Sequence, residues 1–310
     1  MLAARNPHPD RLHATLGGLV AQTLHRDHWE FLVVDNGSEP AVAADTYPCL
    51  RELAAQLIIE TRPGLTPARI AGIRTARGDL IVFVDDDNVL VPDYLAAVVR
   101  RFTDDATLGA AGGPVVPAWE TPPPEWTIPF HGLLALRERT DQPEIVRGGA
   151  GVPWPVFAPV GAGLAVRRCY ALAYADAVTC DPRRLALDRR GTSLASGGDN
   201  DLIFSTLHAG GDIAYFPELR LTHLIPAHRL EASYLARLNR GIMRTWVRVL
   251  NLHGQCPWPP ISRWTIPLRY ARARWRHRST SFPARKVVLA GLLGQFEGLA
   301  DIAEDARVGS

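Results

Sequence analysis

Lysine is almost missing from this chain. Lys286 is its only one and every other basic side chain apart from histidine is arginine, a bias we read as GC-rich, bacterial coding rather than as chemistry. The four cysteines, Cys49, Cys169, Cys180 and Cys256, show no C-x-x-C spacing and no nearby paired histidines, which excludes a zinc site or a redox pair and predicts free thiols. No apolar run is long enough to span a bilayer; Val287 to Leu299 comes closest and is broken by Gln295 and Glu297. There is no charged-then-apolar leader and no internal repeat. We therefore expect a soluble or peripheral protein, cytoplasmic, with the inner face of the membrane as its one other address. Acid is also missing locally. No Asp or Glu occurs between Glu231 and Glu297, while Arg237, Arg240, Arg244, Arg248, Arg263, Arg269, Arg272, Arg274, Arg276, Arg278, Arg285 and Lys286 fall there, although the net charge is only +2. So lopsided a distribution points to an anionic partner, membrane lipid or nucleic acid. No nucleic-acid-binding motif is visible, so we expect no nucleic acid and an amphipathic helical tail on an anionic membrane. A solvated helical face packed on the rest of the protein is the alternative.

What the chain does have is a core-forming composition, 47% hydrophobic over 310 residues, enough for one large domain or a domain with an appendage. It is organised around Leu80 to Val84, an apolar run that stops on Asp85, Asp86 and Asp87. Such a run reads as a strand buried on both faces, and in open α/β sheets ligands bind outside the carboxyl ends of the strands. If the backbone stays extended, Asp85 and Asp87 share a face and need a cation or proton between them. An acidic turn that caps the next helix explains the same residues more plainly.

Trp29 to Asp35 is a second acid-terminated strand, turned away by Asn36-Gly37-Ser38. Arg11 to Gln22 is predicted helical with Asp10 as N-cap, and Pro67 to Arg77 helical before Gly78. Met1 to Arg5 are too few for a strand. Pro92 to Phe102 is helical, Leu108 to Val116 a strand broken at Gly112-Gly113, and Pro114 to Pro129 a loop without regular structure. Val160 to Val166 is strand-like and Arg168 to Ala177 helical. Ser196 to Leu202 puts Asp199 and Asp201 after a glycine turn at the mouth of a helix, where they could be helix-capping acids and nothing else. Ile213 to Pro217 is a strand, and the segment Arg220 to Leu224 after it carries His223. The alternation of helix and strand argues for a doubly wound sheet.

Taken in order, Val33 to Ser38, Leu65 to Asp79, the Asp85-Asp86-Asp87 triplet and Gly197 to Leu202 resemble the motifs of a family 2 glycosyltransferase with the GT-A fold. The resemblance runs from about Asn6 to Arg229. It implies a mixed doubly wound sheet with helices on both faces, a nucleotide-diphosphate sugar as donor, a divalent metal (Mn2+ or Mg2+), and a glycan or lipid-linked acceptor. Residue by residue, it implies Asp35 at the nucleotide base, Arg69 on the nucleotide and Asp85 near the ribose. Asp87 would hold the metal, which His223 completes in many relatives, though a strand-end histidine is more often simply hydrogen-bonded. Gly161, Ala162 and Gly163 would lie near the acceptor sugar, Asp199 would be the catalytic base, and Asp201 its acidic companion.

We expect a catalytic domain over residues 1–228, its first strand truncated, and an arginine-rich helical extension over 229–310. Three departures from the family pattern stand out: the short first strand, Ile70 where an Asn is usual, and Gly198 where a Glu usually precedes the base. Two other functions compete with metal-dependent, inverting transfer: a catalytically weak nucleotide-sugar-binding or scaffold protein, and a D-x-D phosphohydrolase. The second is disfavoured because no lysine accompanies the acids.

Overall fold

The structure is a computed structural model, which describes residues 1–189, 191 and 193–308. The chain divides into two compact units, the first made of residues 1–118, 135–185 and 202–225, the second of 119–134, 186–201 and 226–310. Two inner segments thus group with the helical C-terminal part, where a linear division at residue 228 would not put them. The last two residues of the expected extension lie outside the described residues.

In the first unit the strands are β1 (Leu2–Ala4), β2 (Leu32–Asp35), β3 (Gln56–Ile59), β4 (Leu80–Val82), β5 (Asn88–Leu90), β6 (Leu108–Gly112), β7 (Val115–Trp119), β8 (Glu144–Val146), β9 (Ala165–Arg167), β10 (Asp212–Tyr215) and β11 (Leu221–Ile225). Three sheets result, with orders β1-β2-β3, β4-β9-β6-β10-β8 and β5-β11-β7. The first is parallel, while β9 runs antiparallel to both β4 and β6. The sheet is therefore mixed, as expected, with helices 9–20, 65–75, 94–104 and 168–179 supplying its covering layers.

Met1 to Arg5 do form a strand, against the expectation. Leu2 pairs with Val33 on one side and bridges Val84 on the other, and Val84 N–H donates to the Met1 carbonyl at 3.0 Å. A segment bonded along both edges needs few residues, and Leu2 and Ala4 are buried between their neighbours. β2 is buried at all four residues, as its unbroken apolar run requires. The core gathers Leu2, Leu12, Leu16, Phe31, Val33, Tyr94, Val98 and Phe102 on one side and Leu32, Ile70, Ile73, Phe83, Leu164 and Ile203 on the other.

Local departures have local causes. The first helix begins at Pro9, not Arg11, with His8 as N-cap and Asp10 inside the first turn, because the fixed φ of proline suits the first helical position. Pro114 to Pro129 is not irregular: it holds β7 and a 3-10 helix over Glu125–Leu134. β7 lies at a sheet edge, where Pro117 can forgo a ladder bond. The strand expected over 160–166 starts only at Ala165, because Gly163 takes φ +73° to turn the chain. The Gly163 N–H donates to the Phe83 carbonyl at 2.9 Å, and its carbonyl accepts from the Tyr94 hydroxyl.

In the second unit, helices 232–252 and 282–308 run side by side in the same direction. Gly294 and Gly298 let them close: a Cβ at 294 would lie 2.1 Å from the Arg240 carbonyl oxygen, and one at 298 2.7 Å from that of Arg244. Three of the arginines counted toward an anionic partner are paired here within the protein. Arg240 engages Glu297, Arg244 engages Asp301 at 2.7 Å, and Arg263 reaches Asp301 at 2.8 Å and Glu304 at 2.6 Å. Among the described residues no helix is long and apolar enough to cross a membrane, and Cys49, Cys169, Cys180 and Cys256 are free thiols.

Candidate active site

At the end of β2, Asp35 is buried and spans its own turn. Its two carboxylate oxygens accept the N–H groups of Ser38 and Val42, each at 2.9 Å. Asn36 then fixes the facing loop, donating to the carbonyls of Glu60 and Arg62 and accepting the Gly64 N–H at 2.8 Å. Arg62 folds back on Glu60, and its guanidinium, by hydrogen bonding to the Glu60 carboxylate, holds that group below the usual range. The helix 65–75 follows at once and carries Arg69, whose guanidinium lies 4.0 Å from Asp85 and 5.5 Å from the Phe83 ring.

The three acids do not continue β4 as an extended segment. Asn88 N–H donates to the Asp85 carbonyl at 3.2 Å and its side-chain oxygen accepts the Asp85 N–H at 3.3 Å, closing a turn over 85–88. Asp85 and Asp87 accordingly do not share one face of a strand. Asp85 meets Arg69, whereas Asp87 is buried against His223, Oδ2 to Nε2 at 3.4 Å, with its Oδ1 accepting from Asn88 at 3.1 Å. Strand register explains that meeting: antiparallel β5 and β11 set His223 opposite Asn88, beside the last acid of the triplet. Asp86 lies within electrostatic reach of Tyr47, whose hydroxyl is raised above its ordinary value by burial and by that negative charge.

Can these side chains accept a divalent cation? A buried carboxylate and a buried imidazole converge, which fits a cation that draws its remaining ligands from phosphate oxygens and water. No group of three or more acidic, histidine or cysteine side chains able to hold a metal occurs among the described residues.

The remaining predicted acids belong to the second unit. Asp199 and Asp201 sit in the first turn of the helix 198–208, where the dipole favours negative charge. Asp199 is partly exposed and its Oδ1 accepts the Asn200 N–H at 2.9 Å. Asp201 is fully buried, and His253, which ends the helix 232–252, meets its Oδ1 at 2.8 Å through Nε2. Just before the helix, buried Asp188 accepts the N–H groups of Gly197 at 3.2 Å and Gly198 at 3.0 Å. A Cβ at 198 would stand 2.2 Å from its Oδ2. The Asp188 carboxylate thus lies against position 198, where the family pattern has a Glu.

Asn36, Asn88, Asp188 and His253 escaped the reading of the sequence. Asn36 and Asn88 adjoin recognised acids, and their amides were the available signal. Asp188 and His253 sit in stretches with no local pattern, and only the folded chain brings them to Gly198 and Asp201.

Residues 2–159 match the profile of the family described as Glycosyl transferase family 2. The succinoglycan biosynthesis protein ExoM of Rhizobium meliloti (strain 1021) is 27% identical over 315 residues, 94% of this chain and 91% of that protein. Among solved structures, TarS 1-349 of S. aureus superposes with a TM-score of 0.51 at 11% identity, covering 100% of this chain and 90% of that one. GalNAc-T7 with UDP, GalNAc and Mn2+ gives a TM-score of 0.52 at 16% identity, over 99% of this chain and 56% of the other. At such identities these structures speak for the fold alone, and the fold is GT-A. With acid-ended strands on that fold and a family match across half of its length, the chain belongs to glycosyl transferase family 2 and is a glycosyltransferase.

Proposed function

We propose that this enzyme transfers a sugar from a nucleotide-diphosphate sugar to an acceptor hydroxyl with inversion at the anomeric carbon. The product would be a cell-surface glycan or glycolipid. The observation that carries the reading is the buried Asp87–His223 pair beyond the strand end, set by the β5/β11 register. Each Asp35 oxygen keeps a lone pair beyond the amide it accepts, enough to take a base N–H. Arg69 offers fixed positive charge to the nucleotide, and Asp85 an acceptor for ribose hydroxyls. Asp87 and His223 would hold Mn2+ or Mg2+, which when bound supplies positive charge against the diphosphate leaving group.

Asp199 takes the proton from the acceptor hydroxyl. The acceptor oxygen then bonds to the anomeric carbon as the bond from that carbon to the diphosphate oxygen breaks. The nucleoside diphosphate leaves with the electron pair, and a single displacement needs one base only. Asp201, held by His253, fixes the helix turn that presents Asp199, and Gly161, Ala162 and Gly163 form the acceptor side. UDP and Mn2+ in the GalNAc-T7 structure support the donor class, and the name of the ExoM relative supports polysaccharide synthesis. The acceptor is then a growing glycan or a lipid-linked sugar.

Calorimetric titration with UDP, GDP, dTDP and CDP, each with and without Mn2+, tests the donor site. We expect one diphosphate to bind in a Mn2+-dependent way and Asp87→Ala to abolish that binding. Binding that ignores both metal and Asp87 would overturn the assignment. A second reading, donor binding without turnover, draws on Asp201 being committed to His253. Sugar transfer by the intact chain that vanishes in Asp199→Asn defeats it.

A further inference from the structure

We propose that the segment 263–282 of the second unit is a membrane-interface element that seats this chain on an anionic bilayer. The 3-10 turn Arg263–Thr265 runs directly into the helix Ile266–Arg276. Trp264, Leu268, Ala271 and Trp275 follow one another at steps of four, three and four residues, the spacing of a single helical face. That face is turned outward. Trp264, Leu268 and Trp275 are 81, 75 and 68% exposed, Ala271 is exposed with them, and Phe282, opening the next helix, is 72% exposed. The opposite side carries buried Ala273, so the helix is anchored to its unit by one face and presents an apolar stripe on the other.

A water-facing helix does not ordinarily display two tryptophans and a leucine in a row. Aromatic rings of this kind sit at the headgroup level of bilayers, and helices with an apolar stripe between basic flanks lie in the plane of the interface. The basic flanks are present: Arg269, Arg272, Arg274, Arg276 and Arg278 alternate with the stripe, and their apolar stems can lie along it while the guanidinium groups reach phosphates. Arg240, Arg244 and Arg263 are spent on Glu297, Asp301 and Glu304, but among the described residues none of these five arginines has an acidic partner. The charge of the stretch therefore remains available, and no acid between Glu231 and Glu297 opposes it. Charge complementarity selects anionic lipid as the occupant.

The test is flotation of the full chain with vesicles of phosphatidylcholine alone and of phosphatidylcholine mixed with phosphatidylglycerol, at low and high salt. Tryptophan emission is recorded in parallel. We expect flotation only with the anionic vesicles, weakened by salt, with a blue-shifted emission. Each arginine near such a surface is worth about fivefold in binding, so R272A/R274A should weaken it roughly 25-fold. W264A/W275A should lose the shift and most of the binding, both variants keeping their circular dichroism. Flotation indifferent to phosphatidylglycerol, or unchanged in both variants, overturns the proposal. So does self-association or nucleic-acid binding that both variants lose while wild type fails to float. Nucleotide titration of the same samples reads the donor site separately, so a failure of either idea is recognised on its own.

Discussion

Gly198→Ala is the most informative single change. The added methyl would lie 2.2 Å from Oδ2 and 2.7 Å from Cγ of Asp188, so the carboxylate must move. Moving it loosens two hydrogen bonds, to Gly197 N–H at 3.2 Å and Gly198 N–H at 3.0 Å, that close the start of the helix 198–208. Overpacking of this kind costs about 1–3 kcal/mol. Removing the acceptor instead, as in Asp188→Ala, leaves two buried amides unsatisfied at about 1–3 kcal/mol each. If one contact is behind both effects, the two changes do not add. Urea midpoints across the four-member cycle of wild type, G198A, D188A and the double variant measure the coupling. In the D188A background the methyl has room, and Gly198→Ala should then cost no more than about 1 kcal/mol, against 1–3 in the wild type. Equal costs in both backgrounds, or a harmless Gly198→Ala in the wild type, would refute the reasoning.

Other outcomes follow from the same geometry. Gly163→Ala should lower the thermal midpoint markedly, because φ is +73° there and the new methyl would meet Leu221 Cδ2 at 2.5 Å and the Tyr94 hydroxyl at 2.6 Å. Glu60 is held below its ordinary value by Arg62, so its contribution to stability is complete above about pH 4.3 and is lost as pH falls through the lower folded-state value. Glu60→Gln should therefore lower the urea midpoint at neutral pH and flatten its decline below pH ~4.3; a parallel acid limb in the variant would count against the Arg62 contact.

Residues that announce themselves within a few positions were legible. The acids ending β2 and β4 follow unbroken apolar runs, and Asp199 and Asp201 follow a glycine turn, so local pattern alone singled them out. The turn at 85–88 stayed one of two open alternatives, because the asparagine side chain that closes it is one no periodicity reveals. β1 was dismissed for its length, since counting residues ignores that both of its edges are bonded. The arginines of the helix 232–252 were counted toward an anionic partner, with a solvated face as the alternative, because Glu297 and Asp301 lie 57 residues further on. His253 and Asp188 were invisible for the same reason: their meaning is a meeting fixed by packing.

The pairing of β5 with β11 makes the proposed donor site a reporter of folding. His223 reaches Asp87 only because Thr222 lies opposite Val89 and Leu221 opposite Leu90. A slip of one residue would turn every side chain of β11 to the other side of its sheet and carry the imidazole away from the acid. The two strands come from distant parts of the chain, so the Asp87–His223 pair is completed only once a long loop has closed in register. During refolding, compaction and helix signal should precede the capacity to bind nucleotide. One residue inserted between Tyr215 and Leu221 that displaced β11 along β5 would therefore separate His223 from Asp87 without touching either.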